Sequence, residues 1–178
     1  SMASEGKSTV AANTAVAFAR QGKKVLLVDA DLRRPTINAT FNIQNPVGLT
    51  NFLTEKNLNI NDAIYRTSIK NLYVMPSGPI PPNPSELIGS KKMSRVVEAL
   101  DSAFDLVIYD APPVLSVTDA QILSTKVDGT ILVVRENKTE KVLVKQAVRL
   151  IQHVNGEILG VVLNDVRGEG SGYYGYYG

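Results

Sequence analysis

Glu5-Gly6-Lys7-Ser8-Thr9 runs into an alanine-rich stretch at residues 10–19, then Gly22, then Val25-Leu26-Leu27-Val28-Asp29-Ala30-Asp31. Glycine, lysine and two hydroxyl residues at the start of a helix form the latter half of a phosphate-binding loop. Gly6 lets the backbone approach phosphate oxygens, and Lys7 supplies a point charge to the β- and γ-phosphates. The Ser8 hydroxyl can ligate Mg²⁺, and the helix N-terminus adds its dipole. The full spacing G-x-x-x-x-G-K-[ST] puts Ser1 where the first glycine would stand. Gly-Lys-Ser is a weak signal alone; the helix directly behind it strengthens the reading.

Working outward, short apolar runs recur between helical patterns. Val25-Leu26-Leu27-Val28, Leu72-Tyr73-Val74-Met75, Leu106-Val107-Ile108-Tyr109, Thr130-Ile131-Leu132-Val133-Val134 and Ile158-Leu159-Gly160-Val161-Val162-Leu163 are apolar on both faces, as buried parallel strands are. Helices are expected at about 8–21, 91–101, 118–126 and 138–154. The alternation argues for an α/β fold: a doubly wound, mainly parallel sheet with helices on both faces. Asn83-Pro84-Ser85-Glu86 has a cap residue, proline at the first helical position and an acid in the first turn, so a helix starts there. The preceding Ser77-Gly78-Pro79-Ile80-Pro81-Pro82 reads as a rigid connector. A phosphate loop normally follows a strand, and here that strand is expected to lie upstream of residue 1. Without it, two neighbouring strands would be left unpaired.

In such sheets ligands bind beyond the carboxyl ends of the strands. Asp29 and Asp31 stand at one such end, where alternation would point both carboxylates the same way. Two acids beside a phosphate loop suit a metal ion and the proton of a nucleophile; the plainer reading is a solvated turn, paired with Arg33 or Arg34. Asp110 closes the third apolar run ahead of Ala111-Pro112-Pro113, the Walker B pattern of a metal-holding acid. Asn164 follows the last strand. Its amide could read a purine edge, or it could be an ordinary turn residue.

The end of the chain is unusual. Four of the seven tyrosines, Tyr173, Tyr174, Tyr176 and Tyr177, fall among the last residues, separated by glycine. Such a segment forms no stable helix, and phenols beside an ATP site suggest a substrate. The expected division is a domain at 1–169, incomplete at its start, and a tyrosine-rich tail at 170–178.

Composition removes other classes. With 19 basic and 17 acidic side chains the net charge is +2, too near neutral to argue for nucleic acid. Absence of cysteine rules out disulfides and thiolate zinc sites, and fits a reducing cytoplasm. No apolar run is long enough for a membrane span, so membrane association would come through a partner or through a part of the protein outside this sequence.

Glu5-Gly6-Lys7-Ser8-Thr9 (Walker A), Leu26-Leu27-Val28-Asp29-Ala30-Asp31-Leu32-Arg33 (a second, acidic Walker A′ motif) and Val107-Ile108-Tyr109-Asp110-Ala111-Pro112-Pro113 (Walker B) resemble the bacterial protein-tyrosine kinases of capsule and exopolysaccharide synthesis. Gly78-Pro79-Ile80-Pro81-Pro82-Asn83-Pro84-Ser85-Glu86-Leu87 and the tyrosine cluster extend the likeness over nearly the whole chain. The family often has Pro-Gly where this chain has Ala3-Ser4. The resemblance implies a P-loop fold of the MinD/Mrp type and ATP with Mg²⁺ as cofactors. It implies nucleotide contacts from Ser4, Glu5, Gly6, Lys7, Ser8, Thr9 and Asn164, and metal contacts from Ser8, Asp29 and Asp110. Lys7, Asp29 and Asp31 would be catalytic, with Asp29 activating the tyrosine hydroxyl and Asp31 assisting. The four terminal tyrosines would be the phosphoacceptors. The implied partners are a transmembrane adaptor that switches the kinase on, further subunits in a ring, and a cognate phosphatase. The implied location is cytoplasmic, at the inner face of the membrane through the adaptor. The rival is a MinD/ParA/Mrp-type ATPase acting as a dimerisation switch, for which the lysine and acids would serve equally. That class normally has a lysine where this chain has Met2, and it has no use for a tyrosine tail.

Overall fold

The structure is a computed structural model and describes residues 5–44 and 46–166. The tail tyrosines and Ser4 lie outside the described residues.

The elements follow in the order α1 (Lys7–Arg20), β1 (Val25–Asp29), α2 (Ile37–Thr40), α3 (Leu49–Thr54), a 3₁₀ turn (Ile60–Ala63), β2 (Tyr65–Arg66), β3 (Leu72–Met75), α4 (Pro84–Gly89), α5 (Lys91–Ala103), β4 (Leu106–Asp110), α6 (Asp119–Ser124), β5 (Thr130–Arg135), α7 (Lys141–His153) and β6 (Ile158–Asn164). All five apolar runs are strands; α6 and α7 fall within the expected helical stretches, while α1 starts one residue earlier and α5 ends two residues later than expected. The sheet is in two parts, ordered β2-β3-β1-β4 and β5-β6. All pairings are parallel except that of β2 with β3. Among the described residues no strand pairing joins the two parts.

Burial explains why β1 is central. Its five residues are all buried, and alternation sends them to two cores. Leu26 and Val28 join Met75, Ile88, Met93, Val96 and Leu100 on one face. Val25 and Leu27 join Ala15 and Ala19 of α1, with Ile37, Leu72 and Val74, on the other. Small residues on α1 let that helix lie close against the sheet. Each fully buried leucine here stabilises by about 1.5–3 kcal/mol over an exposed one. The third cluster, Val114, Leu132, Ala147 and Ile151, packs α7 against β5. On β6, Leu159, Val161 and Leu163 alternate along one face and are exposed.

Three details depart from the sequence reading. Helix α4 begins at Pro84 as expected, but Asn83 does not cap it; its amide donates to Glu86 Oε2 at 2.7 Å. The connector at 76–78 is not a bare link. The Leu49 and Thr50 amides donate to the carbonyls of Pro76 (2.9 Å) and Ser77 (2.7 Å), and a Cβ on Gly48 would fall 2.3 Å from both Gly78 N and Pro76 O. Finally, β1 ends at Asp29, so Asp31 lies in the following turn and the alternation argument does not apply to it.

Candidate active site

Parallel register sets the acids side by side. Val28 pairs with Met75 on one side and Tyr109 on the other, and Asp29 pairs with Asp110. Both carboxylates therefore emerge at the same level from neighbouring strands. The Ala30 amide donates to Asp110 O at 2.9 Å, holding the strand ends together.

Asp29 is fully buried. Its Oδ2 accepts from the amides of Thr36 and Ile37, each at 2.9 Å. Its Oδ1 is buried with no hydrogen-bond partner among the described residues, as is Asp110 Oδ2. Burial pushes the Asp29 carboxyl up to about 7, against the lowering effect of the two amides, and the charges of Asp110 and Asp31 add to the rise. Asp110 is raised by burial too, while a hydrogen bond with the Ser8 hydroxyl and the Lys7 charge pull it back. Two desolvated carboxylates, each with an unsatisfied oxygen, form a site that a cation would relieve. Among the described residues no group of three or more His, Cys, Asp or Glu could hold a metal. The donor set is thus two acids and a hydroxyl, which suits an ion that keeps waters and phosphate oxygens, as Mg²⁺ does.

The loop itself ends at Gly6, with φ +83 and ψ 24, immediately before α1. Left-handed backbone there favours glycine, and space requires it as well: a Cβ would lie 2.2 Å from Asn164 Nδ2. No acid occupies the first turn of α1, and the positive end of the helix dipole there attracts an anion. Asn164, at the end of β6, donates through Nδ2 to the Glu5 carbonyl at 2.9 Å. The Glu5 carboxylate is buried and accepts from Thr139 Oγ1 at 2.6 Å. Thr139 Oγ1 in turn accepts from the Arg135 amide at 2.9 Å. Beside them, Glu5, Gly6, Arg135, Asn164 and Asp165 line an open cavity of about 290 Å³. A larger depression, about 510 Å³ and lined by Arg20, Lys70 and Asn71 among others, lies by the far end of α1 and holds none of these groups.

Lys7, Ser8, Asp29, Asp110 and Asn164 thus converge from α1, β1, β4 and β6. Asp31 stands in the turn beyond, its Oδ1 accepting from the amides of Arg33 (3.2 Å) and Arg34 (2.9 Å). The guanidinium of Arg33 is directed at Asp119 rather than closing an acidic turn on itself. Sequence reasoning missed Asp119, Ser85, Thr139 and Arg135. Asp119 falls inside the helical stretch expected at 118–126, and nothing in a sequence marks such an acid as buried.

A loop, helix and strand-end acids in this arrangement define a P-loop nucleotide-binding domain. The family model described as AAA domain (AAA_31) matches residues 4–159. Tyrosine-protein kinase YwqD of Bacillus subtilis (strain 168) is 47% identical over 174 residues, 98% of this chain and 73% of that protein. Tyrosine-protein kinase CpsD of Streptococcus agalactiae is 37% identical over 175 residues, 98% of this chain and 76% of that protein. The kinase domain of Escherichia coli tyrosine kinase ETK superposes with a TM-score of 0.90 at 32% identity, covering 99% of this chain and 69% of that one. MinD of Pyrococcus horikoshii OT3, complexed with Mg-ADP, reaches 0.74 at 25% identity, covering 92% and 66%. The chain belongs to the bacterial tyrosine-protein kinases, and the MinD-type ATPases share its fold at a greater distance.

Proposed function

We propose that this chain binds ATP with Mg²⁺ at the Gly6 loop and transfers the γ-phosphoryl group to tyrosine hydroxyls, including those of its own tail. The observation that carries the reading is the pair of orphaned carboxylate oxygens, Asp29 Oδ1 and Asp110 Oδ2, at one level beside Ser8 and Lys7. Ser8, Asp29 and Asp110 would hold Mg²⁺, which neutralises charge on the β- and γ-phosphates. Ser4, Glu5, Gly6 and Thr9 would cradle phosphate with the first-turn amides, and Lys7 would meet charge developing on the transferred group. With its Nδ2 engaged by Glu5, Asn164 has Oδ1 left as an acceptor for the exocyclic amino group of adenine.

Asp29 is the proposed base. Its carboxylate, held at the strand end by the Thr36 and Ile37 amides, would take the phenolic proton as the oxygen attacks. Asp31, more open and fixed by two amides, would assist by orienting the acceptor. Tyr173, Tyr174, Tyr176 and Tyr177 are the proposed acceptors, 1–169 being the kinase domain and 170–178 its substrate tail.

Among the described residues no helix is long and apolar enough to cross a membrane. We infer that the chain works on the cytoplasmic face of the membrane beside a transmembrane adaptor that activates it. There it assembles with further copies, is reversed by a phosphatase, and regulates capsular or exopolysaccharide synthesis. Lys7→Met tests the site. The expected result is loss of tyrosine phosphorylation with the thermal transition retained; undiminished phosphorylation refutes the assignment.

A further inference from the structure

Arg33, Ser85 and Asp119 come from three separate segments and meet in one cluster. Asp119, the first residue of α6, is 1% exposed. Its carboxylate accepts from Arg33 Nε at 2.8 Å and Nη2 at 3.1 Å, and from Ser85 Oγ at 2.5 Å. Arg33 Nη2 also donates to Ser85 Oγ at 3.1 Å, and Thr118 Oγ1 reaches the same oxygen at 3.4 Å. A bidentate guanidinium and a hydroxyl satisfy a carboxylate that burial would otherwise leave desolvated and unpaired. Arg33 is 39% exposed, so the pair is only half-buried and solvent screening limits what it adds to stability.

What the cluster holds is the turn after β1. Arg33 has two ends with different tasks. Its side chain is anchored on α6 and α4, while its backbone amide, with that of Arg34, binds Asp31 Oδ1. Leu32 beside it is fully buried, but Arg33 and Arg34 are exposed, so the side-chain anchor on Asp119 is what steadies the Arg33 amide against Asp31. Helix α4, which carries Ser85, follows directly on the proline-rich connector.

We propose that Asp119, supported by Ser85, is a positioning residue for phosphoryl transfer: it grips Arg33 and so fixes the turn that orients the Asp31 carboxylate. The inference rests on the assisting role given to Asp31 above. A double-mutant cycle on the full chain tests it, with Asp119→Asn and Asp31→Asn singly and together, reading kcat and KM for ATP. Asp119→Asn keeps the shape but weakens the grip on the guanidinium. It is expected to lower kcat about tenfold, as a small misplacement of a reacting group does, with KM for ATP changed by less than about twofold. In the Asp31→Asn background the same change is expected to do nothing more. Arg33→Lys, which cannot make the two-pronged contact, should show the same non-additivity, and it carries the cycle if Asp119→Asn does not fold. Losses that multiply refute the positioning role while leaving Asp31 in place. A rise in KM with kcat unchanged, or no effect of Asp119→Asn, refutes it as well. An unaffected Asp31→Asn enzyme removes both the assisting role and the inference.

Discussion

Replacing Asp29 by asparagine should disable the enzyme and stabilise its metal-free form. The carboxyl titrates near 7 in the folded chain against 3.8 ordinarily. Below about pH 4 it is neutral in both folded and unfolded states and favours neither. Between about 4 and 7 the unfolded chain ionises first, so folded stability falls as pH rises, and above 7 the loss is complete. Three pKa units correspond to about 4 kcal/mol, an upper bound for a group coupled to Asp110. Asparagine keeps an oxygen for the Thr36 and Ile37 amides and carries no charge to desolvate, so the loss is not repeated in the variant. Calorimetry in a chelator from pH 4 to 8.5 is the assay. The expected result is a melting-temperature advantage for Asp29→Asn that is absent near pH 4, grows to about pH 7 and then stays level. Phosphorylation should fall by about 10²–10⁴, the usual contribution of a general base. A variant less stable than the parent at pH 8, or an advantage largest in acid, would refute the reasoning about the desolvated pair.

Gly6→Ala must bear a left-handed φ and a Cβ 2.2 Å from Asn164 Nδ2, so nucleotide affinity by calorimetric titration should drop at least about tenfold, the equivalent of the 1–2 kcal/mol strain. An unchanged affinity would show that the loop tolerates a side chain. Mixing a Lys7→Met chain that keeps its tail with an active chain cut after Gly170 should label the inactive chain. If that tail stays unmodified while intact protein labels itself at a concentration-independent rate, transfer is within one chain. Adding the adaptor's cytoplasmic segment should raise the rate by favouring the ordered site; an isolated chain already at full rate would contradict this.

The sequence was most legible where burial and chemistry coincide. Five strands announced themselves as short apolar runs; Asp29 and Asp110 followed from the ends of two of them, and Lys7 and Ser8 from the glycine-lysine-serine start of α1. Residues 36–64 were silent because α2 and α3 span only four and six residues, too short for a 3.6-residue period to repeat. The two-residue β2 carries no alternation either. Asp119 and Ser85 were hidden for another reason: an ion pair across 86 positions of sequence leaves no local pattern. Asn164 was placed correctly by its strand end, yet its bond to Glu5 O depends on packing between the first and last described segments.

Incubation with γ-labelled ATP and Mg²⁺, followed by mass spectrometry of the C-terminal peptide, tests the central claim most directly. Phosphate on Tyr173, Tyr174, Tyr176 or Tyr177, absent in the Lys7→Met chain, is the expected result. Label released only as inorganic phosphate, with no phosphotyrosine anywhere in the chain, even with the adaptor segment present, would contradict it and favour a MinD-type switch.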